Sequence, residues 1–254
     1  MIYLILSAVS AFFGLSSGIG ATTLLRPMLD AVSPLSQTSI ALLCTMATLC
    51  AALVSAFFAL SQPLPLHQDE LILLAAGAAI GGVLGDLISS RFLSVLARPS
   101  AVFLQNALLF ALIALPAVYF QTLSRTLQPL SVTRLASLPV ALVVGLFASF
   151  LSFSAELLTL TAYFLLFDAE DDESSIAALT ITLFSMAGKL VTILIRLRLQ
   201  LPDADVLLWL LPGAIIGALF SMISVFQSHT LQRNQNMLRL SLFTTLLNMA
   251  SAAM

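Results

Sequence analysis

Apolar runs of membrane-spanning length recur along almost the whole chain, and this pattern limits the fold more than any motif does. They fall at 2–32, 37–61, 70–90, 100–123, 138–167, 176–196, 205–226 and 237–253. A bilayer core takes about 20 apolar residues per helix. Between the runs, "QPLPLHQDE" (62–70), "SRTLQPLSVTR" (124–134) and "DAEDDESS" (168–175) combine proline or charge with loss of the apolar period, and read as loops. Hydrophobic residues make up 60% of the chain and charged residues 9%. A soluble domain carries about a quarter charged residues, so this chain has too few charges to cover a surface facing water. The expected fold is all-α and polytopic, sited in a cell membrane, with a bacterial inner membrane as the expectation. A net charge of −2 gives nucleic acid no electrostatic reason to bind. The first run has no basic segment before it and continues past any plausible cleavage site, so it reads as a retained helix. Cys44 and Cys50 lie six apart in one run, on different helix faces, and read as buried free thiols. No cofactor or metal is expected.

Two runs, 2–32 and 138–167, are roughly 30 residues long against the ~20 that span a bilayer. Each turns polar and small at its middle: Gly18-Ile19-Gly20-Ala21-Thr22 in the first, Ser152-Phe153-Ser154-Ala155-Glu156 in the second. The coincidence points to a duplication. "TSIALL" at 38–43 aligns with "SSIAAL" at 174–179, and "LAAGAAIGG" at 74–82 with "LLPGAIIGA" at 210–218. These pairs lie 136 residues apart, whereas Gly18 and Ser152 lie 134 apart. The expected organisation is a first repeat over 1–123, a connecting loop over 124–137 and a second repeat over 138–254, all in one membrane domain. Duplicated membrane domains with interrupted helices are a transporter signature. Gly77, Gly81 and Gly85, with Gly213 and Gly217, are spaced four apart and are expected to hold helices in close contact.

Gly14-Leu15-Ser16-Ser17-Gly18 matches G-x-S-x-G, the nucleophile elbow of serine hydrolases. That elbow needs a strand, a sharp turn and a helix. Here both flanks are apolar helix, and the histidines, His67 and His229, fall in predicted loops. A dinucleotide fingerprint would need glycine at position 23, which is Thr23. The remaining reading is a helix broken inside the membrane. Backbone groups freed there cost several kcal/mol unless they line a polar cavity. A helix restarting after Gly20 presents free N–H groups and a dipole that favour an anion. Gly18, Gly20, Ala21 and Thr22, with Ser152 and Ser154, are therefore candidate anion-binding residues.

Ionisable residues inside a span cost about 2.5–3.5 kcal/mol each on insertion scales and need a reason. Glu156 stands at the second break and is the candidate proton carrier, because a carboxylate beside a bound anion is repelled and takes up a proton with it. Lys189 is either a snorkelling residue or a cation that holds the anion or neutralises Glu156. Asp86 is expected to reach interfacial water, and Arg26 to anchor at the interface, with a substrate ligand as the alternative for Arg26. Thr38, Ser39, Ser174 and Ser175 open two helices at matched positions and are expected to cap them.

"GLSSGIGATTLLRPML" followed by "QTSIALL" resembles the TauE/SafE family of membrane permeases, the sulfite exporter family. Gly18, Ile19, Gly20, Pro27, Thr38 and Ser39 fit the family pattern, as do "GAAIGGVLG" and its echo "GAIIGAL". Ala21 and Thr22 replace the later glycines of the first motif. The second has none, and Thr161 stands where a second proline would be. The resemblance implies transport of a small sulfur-containing anion: sulfite, a sulfonate such as sulfoacetate, or thiosulfate. It also implies that Thr38, Ser39, Ser174 and Ser175 face the central site. The expectation is a secondary exporter, proton-linked, not an enzyme, in contact with lipid and anion, with a homodimer left open. The alternatives are an intramembrane hydrolase using Ser16 or Ser17, and a passive anion channel.

Orientation stays open at this point. If the long runs cross the membrane, the repeats are parallel. If they fold back as re-entrant hairpins, the repeats are inverted, with Arg26, Arg91, Arg98, Arg196 and Arg198 on one face and Arg125, Arg134, Arg233 and Arg239 on the other. Inversion is preferred, because it provides alternating access around a midplane site.

Overall fold

A computed structural model describes residues 1–16, 20–33, 35–59, 66–95, 98–118, 132–167, 171–197 and 204–225. Among them the secondary structure is helical throughout: α1 (Ile2–Ser16), α2 (Ala21–Val32), α3 (Gln37–Ala59), α4 (Gln68–Val95), α5 (Arg98–Val118), a 3-10 turn (Arg134–Ala136), α6 (Ser137–Leu151), α7 (Glu156–Leu166), α8 (Asp171–Arg196) and α9 (Ala204–Val225). Five of these are long and apolar enough to cross a membrane: α3, α4, α6 with its preceding turn, α8 and α9. The eighth apolar run, 237–253, lies outside the described residues.

The pattern of burial is that of a protein solvated by lipid. Ser7, Ser10, Thr22, Thr45, Thr48, Ser149, Thr182 and Lys189 are inside, while Ile5, Phe57, Ile72, Leu208, Phe220 and Ile223 face outward. Lipid accepts apolar side chains but leaves polar groups unsatisfied, so the hydroxyls turn inward and find carbonyls. Thr45, Thr48, Ser55 and Thr180 each donate to the carbonyl four residues back.

Each over-long run is two helices, and each pair folds back. Ser10 Oγ donates to the carbonyl of Ala21 at 2.5 Å, and Gly20 N–H to that of Gly14 at 3.0 Å. A straight helix would hold Ser10 and Ala21 roughly 16 Å apart. Tyr3 and Leu6 share an apolar cluster with Leu25 and Leu29, so α2 returns along α1. At the second pair, Val132 N–H, just ahead of α6, donates to the carbonyl of Leu166 at the end of α7 at 2.8 Å. The arms of this hairpin therefore start and finish together.

The glycine rows set the packing. A Cβ on Gly77, Gly81 or Gly85 of α4 would strike the carbonyl oxygens of Leu138, Leu142 and Leu146 on α6. A Cβ on Gly213 or Gly217 of α9 would strike those of Leu4 and Ala8 on α1. Among the described residues the α4–α6 and α1–α9 interfaces are the most extensive. The two interfaces keep the same register: Gly213 follows Gly77 by 136 residues, and Leu138 follows Leu4 by 134.

Two loop boundaries are corrected. The acidic stretch Asp171 to Glu173, read as loop, opens α8, and Asp69 and Glu70 open α4. Acidic side chains in a first turn offset the positive end of the helix dipole, so charge here marked helix starts. Of the two thiols Cys44 is buried, but Cys50 is only partly so.

Candidate functional site

The two breaks meet. α2 restarts after Gly20, whose φ of 101° and ψ of 142° suit glycine alone. α7 restarts at Glu156 after Ala155. A Cβ on Gly20 would overlap Ser154 Cβ and lie 2.7 Å from Ser154 Oγ and 3.1 Å from Glu156 Oε2. Thr22 N–H donates to Ser154 Oγ at 3.5 Å, and the Thr22 and Ser154 hydroxyls are 3.3 Å apart. Two helix N-termini are thus brought face to face, with the half-buried Glu156 carboxylate between them. Each first turn leaves backbone N–H groups without intrahelical acceptors, and both dipoles favour negative charge at the junction.

The helices behind the breaks supply two threonines that sequence reasoning missed. The Thr48 hydroxyl of α3, which donates to the Cys44 carbonyl, is hydrogen-bonded to Thr22 Oγ1 at 2.8 Å, and Thr182 of α8 accepts from the N–H of Ala155 at 3.1 Å. The pair lie 134 residues apart, the same offset that relates Gly20 to Ser154. That offset was the available signal, since a threonine in an apolar run otherwise looks unremarkable.

The other side of the second break carries positive charge. α6 ends with Ser152 in the left-handed region at φ 55°. Its N–H bonds to Ser149, and that of Phe153 to Ala148. This is a Schellman ending with serine where glycine is usual, a placement costing about 1–2 kcal/mol. Lys189, fully buried, offsets it by donating to Ser152 Oγ at 2.6 Å and to the Ser149 carbonyl. Arg26 donates to the Leu151 carbonyl, to Gln105 Oε1 at 2.6 Å and to Gln37 Oε1 at 3.3 Å. Its Nε is 3.8 Å from Asp30, which accepts from Gln37 Nε2 at 3.0 Å. Cations at a helix C-terminus complement its dipole.

Several expectations are corrected here. Arg26 is not an interfacial anchor: it is 2% exposed and joins the first hairpin to the second. Lys189 does not snorkel and is not paired with Glu156, because the ion pairs among the described residues are Arg26–Asp30 and Arg196–Asp86. Asp86 is 3% exposed and bonds Arg196 and Thr192 rather than interfacial water. Ser36, not Thr38 or Ser39, caps α3, accepting from the N–H of Ser39 at 3.1 Å. Ser174 and Ser175 are the fourth and fifth residues of α8, which begins at Asp171. Nine to ten residues separate Thr38 and Ser39 from Thr48, or about 14 Å of helix. Seven to eight separate Ser175 and Ser174 from Thr182, about 11 Å. None of these four hydroxyls reaches the level of the breaks. Gly20, Ala21, Thr22, Ser152 and Ser154 do gather there. Gly18 and Ser17 lie outside the described residues. Ser16, the other candidate nucleophile, donates to the Phe13 carbonyl in its own helix at 3.3 Å. Among the described residues no group of three or more His, Cys, Asp or Glu is placed to hold a metal.

Comparison with family models returns one match, described as "Sulfite exporter TauE/SafE", over residues 3–252. The chain belongs to the TauE/SafE family. It is a multi-pass membrane protein of the sulfite-exporter type, and this family consists of transporters, not enzymes. Searches of curated proteins and of solved structures gave no match. Both breaks of this TauE/SafE chain, including the point where Gly20 meets Ser154, fall inside the matched residues.

Proposed function

We propose that the chain is a secondary, proton-linked transporter of a small sulfur-containing anion, such as sulfite, sulfoacetate or another sulfonate, acting as an exporter by alternating access. The carrying observation is the junction of the α2 and α7 N-termini through Gly20, Thr22 and Ser154, with Glu156 beside them. Helix N-termini of discontinuous segments hold anionic groups in several transporter folds. Glu156 is the internal anion of this junction. A dianion or monoanion entering from water competes with that carboxylate for the same amides and dipoles. Protonation of Glu156 removes the competitor, so substrate and proton arrive together and the local charge changes little. Thr22, Thr48, Ser154 and Thr182 supply hydroxyls that donate to an oxyanion in any orientation.

In this reading both hairpins are re-entrant and the repeats are inverted, which provides alternating access around the junction. The matched α1–α9 and α4–α6 interfaces support this organisation, with each hairpin packed on the other half. The reading also assigns Lys189 and Arg26 to the break itself: they hold the α6 carbonyls and keep the α7 N-terminus aimed at the junction.

The test is binding followed by flux. Sulfite, thiosulfate, sulfoacetate and chloride are screened by thermal shift on purified protein, since a ligand bound only by the folded form raises its melting temperature. Proteoliposomes are then loaded with the hit. Saturable counterflow is expected. Linear, unsaturable flux would replace the carrier with a channel, and no response to any sulfur anion would remove the substrate class.

A further inference from the structure

The open end of the second hairpin is built differently from that of the first. Glu70, in the first turn of α4, is 6% exposed. Its Oε1 accepts from Ser137 Oγ at the start of α6 and from Tyr163 OH in the last turn of α7, both at 3.1 Å. One carboxylate oxygen thus ties the two arms together. Beside it is a cavity of about 170 Å³ lined by Leu66, Glu70, Val132, Arg134, Tyr163 and Glu173, with Phe167 completing the wall. That volume exceeds the ~30 Å³ share of one water several-fold. The residues that occupy the matching places at the first hairpin follow from the offsets of the packed interfaces: Tyr3 for Ser137, Leu29 for Tyr163 and Val206 for Glu70. Those three share one apolar cluster with Leu25 and Leu210. At one mouth, then, hydroxyls converge on a carboxylate next to a polar cavity. At the other, the same positions pack in an apolar cluster without a carboxylate.

We propose that Glu70 is the latch on the second hairpin, and that the cavity beside it is the antechamber through which the junction opens to that membrane face. The inference rests on the transporter reading but concerns a different part of the molecule. Leu74, Leu151, Phe153 and Leu157, on α4, on α6 and α7 and in the break that joins them, are all buried in one apolar cluster. They form a plug that only separation of the arms can breach. A hydrogen-bonded latch suits a moving gate: its hydroxyls and carboxylate find water as soon as the arms part, whereas an apolar seal loses its packing with no replacement. Glu70 is a positioning residue here and does not touch the anion.

The test needs no substrate. Ser154→Cys, fully buried at the junction, serves as a reporter in a Cys44→Ala, Cys50→Ala background, labelled by a membrane-impermeant methanethiosulfonate. Glu70→Val, which leaves the hydroxyls of Ser137 and Tyr163 without their shared acceptor, is expected to raise the labelling rate at least tenfold. Glu70→Gln keeps the acceptor oxygen and should label within twofold of the parent. Should Glu70→Val fail to fold, Tyr163→Phe removes one of the two donors and should raise the rate about threefold. Unchanged rates in the folded variants overturn the latch. Because labelling is read without an anion, that failure is separate from a failure of any sulfur anion to bind or cross.

Discussion

Replacing Gly20 by alanine tests the meeting of the two breaks at its tightest point. The residue sits at φ 101°, ψ 142°, a region where a side chain costs about 1–3 kcal/mol. The new Cβ would overlap Ser154 Cβ and come to 2.7 Å from its Oγ, and overpacking of this kind costs about 1–3 kcal/mol more. Together about 2–6 kcal/mol is lost, and at about 2–4 °C per kcal/mol the melting temperature falls by about 4 °C or more. Ser154→Gly alone gives up its hydrogen bonds to Thr22, worth about 0.5–1.5 kcal/mol each. The combination Gly20→Ala with Ser154→Gly moves the glycine across the junction. It relieves the overlap but not the backbone strain, so it should be more stable than the sum of the two single changes by about 1–3 kcal/mol. Unfolding of the four proteins in one detergent, followed by tryptophan fluorescence or a thiol-reactive dye, gives the cycle directly. Additivity within about 0.5 kcal/mol would mean that the two residues do not touch, and the reasoning would be refuted.

Arg26→Met removes the bonds to Leu151, Gln37 and Gln105 and leaves Asp30 buried without its cation; a loss of about 3–5 kcal/mol is expected, partly recovered by adding Asp30→Asn, as thermal unfolding of the three variants will show. Glu156→Gln should abolish uphill, proton-driven flux in proteoliposomes while anion exchange persists; undiminished proton-driven flux would remove Glu156 from coupling. Gly81→Val should separate α4 from α6 at the Leu142 carbonyl, lowering stability by about 1–3 kcal/mol or more, whereas Ile80→Val, on the half-exposed outer face of the same helix, should change it by less than about 1.5 kcal/mol.

The broken helices were legible because length and composition disagree there. A span of roughly 30 apolar residues must bend or break, and Gly18, Gly20, Ser152 and Ser154 mark where. The glycine rows were legible because a four-residue spacing fixes a helix face without reference to the partner. Depth along a helix was also readable, but neighbours were not. Arg26 was read as reaching the interface, and snorkelling was one of the readings for Lys189, because nothing local shows that the carbonyls of Leu151 and Ser149, from a distant segment, await them. Thr48 and Thr182 lacked a local mark for the same reason. Charge misled in one way: Asp171 to Glu173 looked like a loop because they are acidic, yet acidity is also how a helix begins. The caps Thr38 and Ser39 failed by two and three residues, since Ser36 offers the same hydroxyl earlier and the chain used the first one available.

Cross-linking Thr22 to Ser154 tests the central claim most directly. Their hydroxyls are 3.3 Å apart, close enough for cysteines at both positions to form a disulfide with Cβ atoms about 3.5–4.5 Å apart. In a Cys44→Ala, Cys50→Ala background, mild oxidation of the Thr22→Cys, Ser154→Cys protein should close the bond. Anion binding and counterflow should stop and then return on reduction. Failure to cross-link would separate the two breaks, and full transport by the cross-linked protein would place the anion's path elsewhere.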